Sequence, residues 1–186
     1  MNALDSSALI EKCLAGDEQA IEWFIRTHEA NVFKLAYSIV GDELTANEVT
    51  QETFISALKS LGTYKEKSPL KVLLYTITLN TSRSYLRKRK TLEKLRSTLA
   101  SISVLKHQVQ SSLEDIVVQN ERDRVIANAL EKLDEKHRLV ILLRYFEELS
   151  VAEVAQILSI HEGTVHSRLH TARERLRDFL SSFDGE

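Results

Sequence analysis

Apolar residues recur along this chain at helical spacing almost throughout, and strand-like alternation persists nowhere. Asp17 is an expected N-cap for a helix with Ile21, Phe24, Ile25, Val32, Leu35, Ala36 and Ile39 on one face and Gly41 as its stop. "TANE", Thr45 to Glu48, reads as a capping box opening the next helix. That helix has Val49, Phe54, Ala57, Leu58 and Leu61 inward and Gly62 as its end. After the loop "GTYKEKS", Ser68-Pro69 predicts a helix with proline at its first position, Leu70, Leu73, Leu74 and Ile77 inward, running out into a basic block.

From about Thr91 to Leu113 the pattern weakens into Ser, Thr, Gln and scattered Leu, which predicts a linker with transient helix. Periodicity resumes near Glu114, where Val118, Val125, Ile126, Ala129, Leu130 and Leu133 form a stripe. "DEKHRLVILLRYF" follows as a short, strongly apolar helix. Ser150 to Glu153 is a second capping box, opening a helix with Val154, Ala155 and Leu158 inward. A tight turn at Ser159-Ile160-His161 leads into a last helix whose Val165, Leu169, Ala172 and Leu176 form one stripe. Helix, short turn, helix, with the small Ala155 where the two cross, is the helix-turn-helix pattern. The expected fold is all-α: two small helical domains, 1–92 and 114–186, joined by a flexible linker at 93–113, the C-terminal one with the helix-turn-helix.

Composition supports this architecture. With one proline and five glycines in 186 residues, long helices are permitted almost everywhere and composition disfavours a turn-rich all-β fold. No stretch has the apolar length to span a bilayer, and the start "MNALDSSALIEK" does not read as a signal peptide, so the chain is expected to be cytoplasmic with no membrane insertion. Cys13 is the only cysteine, which excludes an internal disulfide, and its apolar helical face marks it as a core residue rather than a nucleophile. The formal net charge of −2 hides an asymmetry: residues 1–60 sum to −6, whereas 83–96 sum to +6. A basic block of that density suits a polyanion.

The last helix carries the most specific chemistry. Its leading turns hold Thr164, His166, Ser167, Arg168, His170 and Thr171, hydrogen-bonding types opposite an apolar stripe. Such a helix packs by its stripe and presents its amino-terminal turns to a major groove, where the dipole also favours phosphate. Ser167, Thr171 and His166 suit base edges, while Arg168 and Arg173 suit phosphates. His161, His166 and His170 lie near one another, but no carboxylate or cysteine completes a metal-binding set. No HExxH, CxxC, P-loop or nucleophile-elbow pattern occurs, so no catalytic residue, cofactor or metal is expected and the chain reads as a non-enzyme. An ordinary helix-turn-helix regulator with a sensing N-terminal domain explains the C-terminal half equally well; it leaves the basic helix after "GTYKEKS" unexplained.

A resemblance accounts for both halves. "LDEKHRLVILLRYFEELSVAEVAQILSIHEGTVHSRLHTARERL" is similar to the region-four domain of the extracytoplasmic-function sigma factors of bacterial RNA polymerase. "ALIEKCLAGDEQAIEWFIRTHEANVFKLAYSIVGD" resembles the first helices of that family, "ANEVTQETFISAL" its core-polymerase-binding helix, and "PLKVLLYTITLNTSRSYLRKRK" its promoter-melting segment. The resemblance implies an alternative sigma factor that binds core RNA polymerase, recognises the −10 and −35 elements of promoter DNA, and is commonly sequestered by an anti-sigma protein. It implies that Glu48, Gln51 and Glu52 contact the polymerase clamp. Tyr64, Lys65 and Lys67 of the Gly62–Ser68 loop, together with Asn80, would capture a flipped −10 base, with Arg83, Arg87, Lys88, Arg89 and Lys90 along the DNA backbone. Taken alone, Asn80 reads instead as a satisfied polar residue at a helix boundary. His166, Ser167, Arg168, His170, Thr171 and Arg173 would meet the −35 element. The chain departs from the family pattern at Leu73, where tryptophan is usual, at Thr76 and Leu79 in the melting helix, and at His166 and Thr171, where basic residues are usual. Ser159 stands where glycine is common, which predicts a slightly altered turn.

Overall fold

The computed structural model describes residues 3–64, 69–99, 126 and 128–181, and every regular element among them is helical. In chain order these are α1 (Ala3–Leu14), α2 (Glu18–Val40), α3 (Glu43–Ser60), a 3-10 turn at Leu61–Thr63 and α4 (Leu70–Leu99). Then come α5 (Glu135–Ile141), a π-helical turn at Leu142–Phe146, α6 (Val151–Leu158) and α7 (Glu162–Ser181). The chain forms two compact units, Met1–Tyr64 with Ile77–Ser112 and Lys65–Thr76 with Leu113–Glu186. Lys65, Lys67, Val118, Val125 and positions 100–113 of the expected linker lie outside the described residues.

In the first unit, helix ends follow local chemistry closely. The Asp17 carboxylate accepts the backbone N–H groups of Gln19 and Ala20 at 3.0 and 3.1 Å, satisfying donors that no helical carbonyl can reach. Gly41 ends α2 in the left-handed conformation, φ 77°, and donates its N–H to the Tyr37 carbonyl. The next helix starts earlier than the capping box at Thr45 predicts. Asp42, directly after the turn, accepts the Thr45 N–H at 2.8 Å, so the helix begins at the first competent cap and "TANE" lies inside it. Phe24 and Phe54 are buried edge to face, ring centroids 5.8 Å apart. Each contributes about 1.5–3 kcal/mol by leaving water.

Helix α4 buries more than one stripe. Leu70 and Leu74 are buried as expected, but Leu73 and Ile77 are half-buried, while Val72, Tyr75, Thr78, Leu79 and Ser82 are buried as well. Residues up to Thr76 and those from Ile77 belong to different compact units, so each stretch needs its own buried face and no single stripe suffices. The helical backbone continues to Leu99, past the point where the apolar pattern fades, because Lys, Arg, Glu and Leu are favourable helix formers.

In the second unit, Asp134 caps α5 and α7 packs against both α5 and α6. "DEKHRLVILLRYF" does not form one regular helix: its second half widens into the π-helical turn, which leaves Tyr145 and Phe146 exposed. The capping box at Ser150 forms in full, with Glu153 N–H donating to Ser150 Oγ at 3.2 Å and Ser150 N–H to the Glu153 carboxylate at 2.7 Å.

Candidate nucleic-acid interface

The geometry of the last two helices begins at Ser159, which takes φ 54° and ψ 48°, the left-handed conformation that glycine adopts freely. The turn therefore keeps the shape glycine would give it, and the altered turn expected from the serine is not seen. The backbone N–H of Ile160 closes back on the Ala155 carbonyl at 3.0 Å, and the His161 carbonyl accepts the first amides of α7, from Thr164 and Val165. These bonds set the angle at which α7 leaves the turn. Val154, Ala155, Ile157 and Leu158 on α6 and Val165, Leu169 and Ala172 on α7 are all buried, with Leu176 half-buried at the end of the stripe.

That packing decides what α7 displays. At about 3.6 residues per turn, Ser167 lies opposite the buried stripe. His166, Ser167 and His170 are exposed together, Thr171 is half-buried beside them, and the half-buried Arg168 and exposed Arg173 flank opposite edges of the stripe. Ser167 Oγ donates to the Thr164 carbonyl at 3.0 Å, and Arg173 Nε to the Leu169 carbonyl at 3.1 Å. His170 Nε2 is 3.7 Å from the Glu174 carboxylate. The helix opens at Glu162, directly after the turn, so its first turn also carries an exposed acid.

Arg175 has a different occupation. Its guanidinium lies 3.2 Å from the Asp134 carboxylate, which also holds His137 Nδ1 at 2.7 Å. His137 Nδ1 cannot both donate to Asp134 and accept from Arg175, which is 3.3 Å away; the shorter contact to a carboxylate takes precedence. Burial pushes the Asp134 carboxyl up, but hydrogen bonds from the His137 backbone and ring, and then Arg175, outweigh it and hold the group below its usual range. Arg175 thus ties α7 to the start of α5.

In the first unit, Glu48, Gln51 and Glu52 are exposed on α3, with Leu44 and Ile55 exposed on the same helix, while Phe54 points inward. On α4, Asn80, Arg83, Arg87, Lys88 and Lys90 are exposed. Asn80 sits in the interior of the helix, not at a boundary, and is exposed there. Arg89 stands 3.6 Å from both Asp42 and Glu93, and Lys88 Nζ lies 5.6 Å from the centre of the Tyr85 ring. Tyr64, half-buried, closes the 3-10 turn by donating its N–H to the Leu61 carbonyl. No group of His, Cys, Asp and Glu among the described residues could hold a metal ion, and no helix among them is long and apolar enough to cross a membrane.

One polar cluster escaped the sequence reading: Lys71 and Tyr75, a turn apart on α4, both meet Glu147. Their helical spacing is visible in the sequence, but nothing in it points to a carboxylate so far along the chain.

Two family models match the chain, one in each half. The family model described as sigma-70 region 2 matches residues 24–91, and that described as sigma-70, region 4 matches 123–176. The chain is 31% identical to the ECF RNA polymerase sigma factor SigW of Bacillus subtilis (strain 168) over 176 residues, covering 92% of this chain and 94% of the relative. It is 28% identical to the RNA polymerase sigma-H factor of Pseudomonas aeruginosa over 176 residues, covering 90% of each. Among solved structures, the sigma factor RpoE in complex with the anti-sigma factor NepR from Bartonella quintana superimposes with a TM-score of 0.67 at 25% identity, covering 86% of this chain and 96% of that one.

Proposed function

The chain belongs to the extracytoplasmic-function branch of the sigma-70 family, and from that premise we propose that it binds core RNA polymerase and directs it to promoters as an alternative sigma factor. The observation that carries this reading is the coexistence, in family order, of an acidic exposed α3, a basic exposed α4 and a helix-turn-helix whose leading face is polar. A plain regulator needs only the last of these. By role along the sequence, as distinct from the two compact units, residues 1–92 serve polymerase binding and the −10 element, 93–113 the linker, and 114–186 the −35 element. Glu48, Gln51 and Glu52 face the polymerase clamp. Tyr64, Lys65, Lys67 and Asn80 take a −10 base, and Arg83, Arg87 and Lys88 follow its phosphates. His166, Ser167 and Thr171 read −35 base edges, with His170 beside them and Arg168 and Arg173 on phosphate.

A relative's structure is described as a complex with an anti-sigma factor, and control by an anti-sigma protein is extended here to this chain, acting in the cytoplasm. Run-off transcription with purified core polymerase on genomic promoter fragments tests the reading. Discrete products that require both chain and core are expected, and duplex binding without any effect on initiation would replace a sigma factor with a simple regulator.

A further inference from the structure

Lys71 and Tyr75 converge on Glu147, and all three belong to one compact unit. The Lys71 ammonium is 3.0 Å from the Glu147 carboxylate and donates to the Glu147 carbonyl at 2.8 Å. The Tyr75 hydroxyl donates to the same carboxylate, and Lys71 Nζ lies 5.4 Å from the centre of the Tyr75 ring. The carboxylate is largely withdrawn from water, its side chain 10% exposed against 31% for Lys71. Desolvating a carboxylate is unfavourable unless a cation and donors meet it, so the cluster is a built site.

The backbone presents Glu147 firmly. Its N–H donates to the Leu142 carbonyl at 3.0 Å, closing the π-helical turn. Glu148 is held in the left-handed region at φ 55°, and Arg144 donates to the Leu149 carbonyl at 3.0 Å. A non-glycine residue stays in that conformation only where its surroundings demand it.

On the function proposed above, on which this inference rests, α4 is the helix whose exposed cations follow promoter phosphates. Lys71 is one more cation on it, near the end that adjoins the loop assigned to the flipped base. Carboxylate and phosphate oxygens offer an ammonium the same charge-assisted hydrogen bond. We propose that Lys71 binds a phosphate of the single-stranded −10 element, and that Glu147 occupies it in the free chain as an internal competitor. Tyr75 supports the competitor by donating to it. Uptake of the promoter strand then requires Lys71 to leave Glu147, which favours loading after the chain has met polymerase.

The test is fluorescence anisotropy with a labelled single-stranded oligonucleotide carrying the −10 non-template strand of a promoter mapped by run-off. The full chain is compared as wild type, Glu147→Gln, Lys71→Ala and the double variant. Glu147→Gln should bind about fivefold tighter, with a salt slope steeper by about 0.7, the increment for one more phosphate contact on a single strand. Adding Lys71→Ala should abolish both gains. Tyr75→Phe, which removes one donor to the carboxylate and keeps the ring, should shift affinity the same way by a smaller factor, and it serves where Glu147→Gln lowers the helical content. No gain in either variant, or a gain that survives loss of Lys71, overturns the proposal. Wild-type run-off separates the two levels: a chain that fails to initiate with core polymerase sinks the sigma reading and this inference with it. Normal initiation with unchanged oligonucleotide affinity sinks the competitor alone.

Discussion

Replacing Asp134 by asparagine and by alanine separates two jobs that one carboxylate performs at the start of α5. As N-cap it accepts the His137 N–H at 3.2 Å and the His137 Nδ1–H at 2.7 Å, and the amide oxygen of asparagine can accept in the same place. Alanine cannot, and loses about 1 kcal/mol for that reason. As a charge it meets Arg175 at 3.2 Å, but both side chains are nearly half exposed, 46% and 48%, so solvent limits the ion pair to about 0.5 kcal/mol. The expected losses are therefore about 0.5 kcal/mol for Asp134→Asn and about 1.5 kcal/mol for Asp134→Ala, both small enough to leave a domain of this size folded. Urea denaturation of the full chain, followed by circular dichroism, resolves the difference. The acid side supplies a second check. Asp134 has a folded-state pKa below its unfolded value, so its charge contribution is complete above the unfolded value, 3.8, and is lost as pH falls through the folded one. The gap between wild type and Asp134→Asn should close over that range and shrink in high salt, while alanine keeps its capping deficit. Equal losses for asparagine and alanine, or a gap indifferent to pH and salt, would refute the division into cap and charge. Arg175→Ala should reproduce the asparagine loss and leave the salt slope of DNA binding unchanged, since its guanidinium serves α5 and not phosphate.

Gln51→Ala combined with Glu52→Lys should weaken binding to core polymerase in a pull-down while leaving helicity unchanged, because both side chains are exposed on α3; normal binding would mean the contact surface lies elsewhere. Asn80→Ala should impair transcription from a duplex promoter more than from one with a pre-opened −10 bubble if it helps opening, and both alike if it only reads the base. Unaltered transcription from both removes Asn80 from the site. In selection from a randomised −35 library, Thr171→Arg should change the preferred sequence, each base contact being worth about 1–3 kcal/mol. Arg173→Ala should keep the preferred sequence and flatten the salt slope by about 0.9, and the opposite pattern would exchange their roles.

The relation between sequence and structure differs from element to element. Asp17, Gly41 and the Ser150–Glu153 box could be read directly, since a cap acts within three residues of itself and no tertiary contact is needed to form it. The stripe at Val165, Leu169 and Ala172 was equally legible, because one helix packing on one side leaves a clean period. The exposed polar leading face of α7 followed from the same period. The start of α3 was misplaced because two caps compete within four positions, and the winner is set by where the preceding left-handed glycine releases the chain.

The rest was decided by residues far apart in sequence. Arg175 belongs by composition to the cations of α7, and only the fold brings Asp134 and His137 beside it and takes it away from phosphate. Asn80, a boundary residue when taken alone, lies ten residues inside α4. Of the buried residues of α4 only Leu70 and Leu74 follow from the sequence, since a period reports one buried side and this helix answers to two units. Glu147 is the clearest instance. In sequence it is one of two adjacent acids after an apolar run, indistinguishable from solvated surface. Its withdrawal from water, and its hold on Lys71 and Tyr75, exist only because the fold closes more than seventy residues of chain between them. Periodicity and caps are local and survive in a one-dimensional record; the pairing of desolvated charges depends on distances that only the folded chain defines.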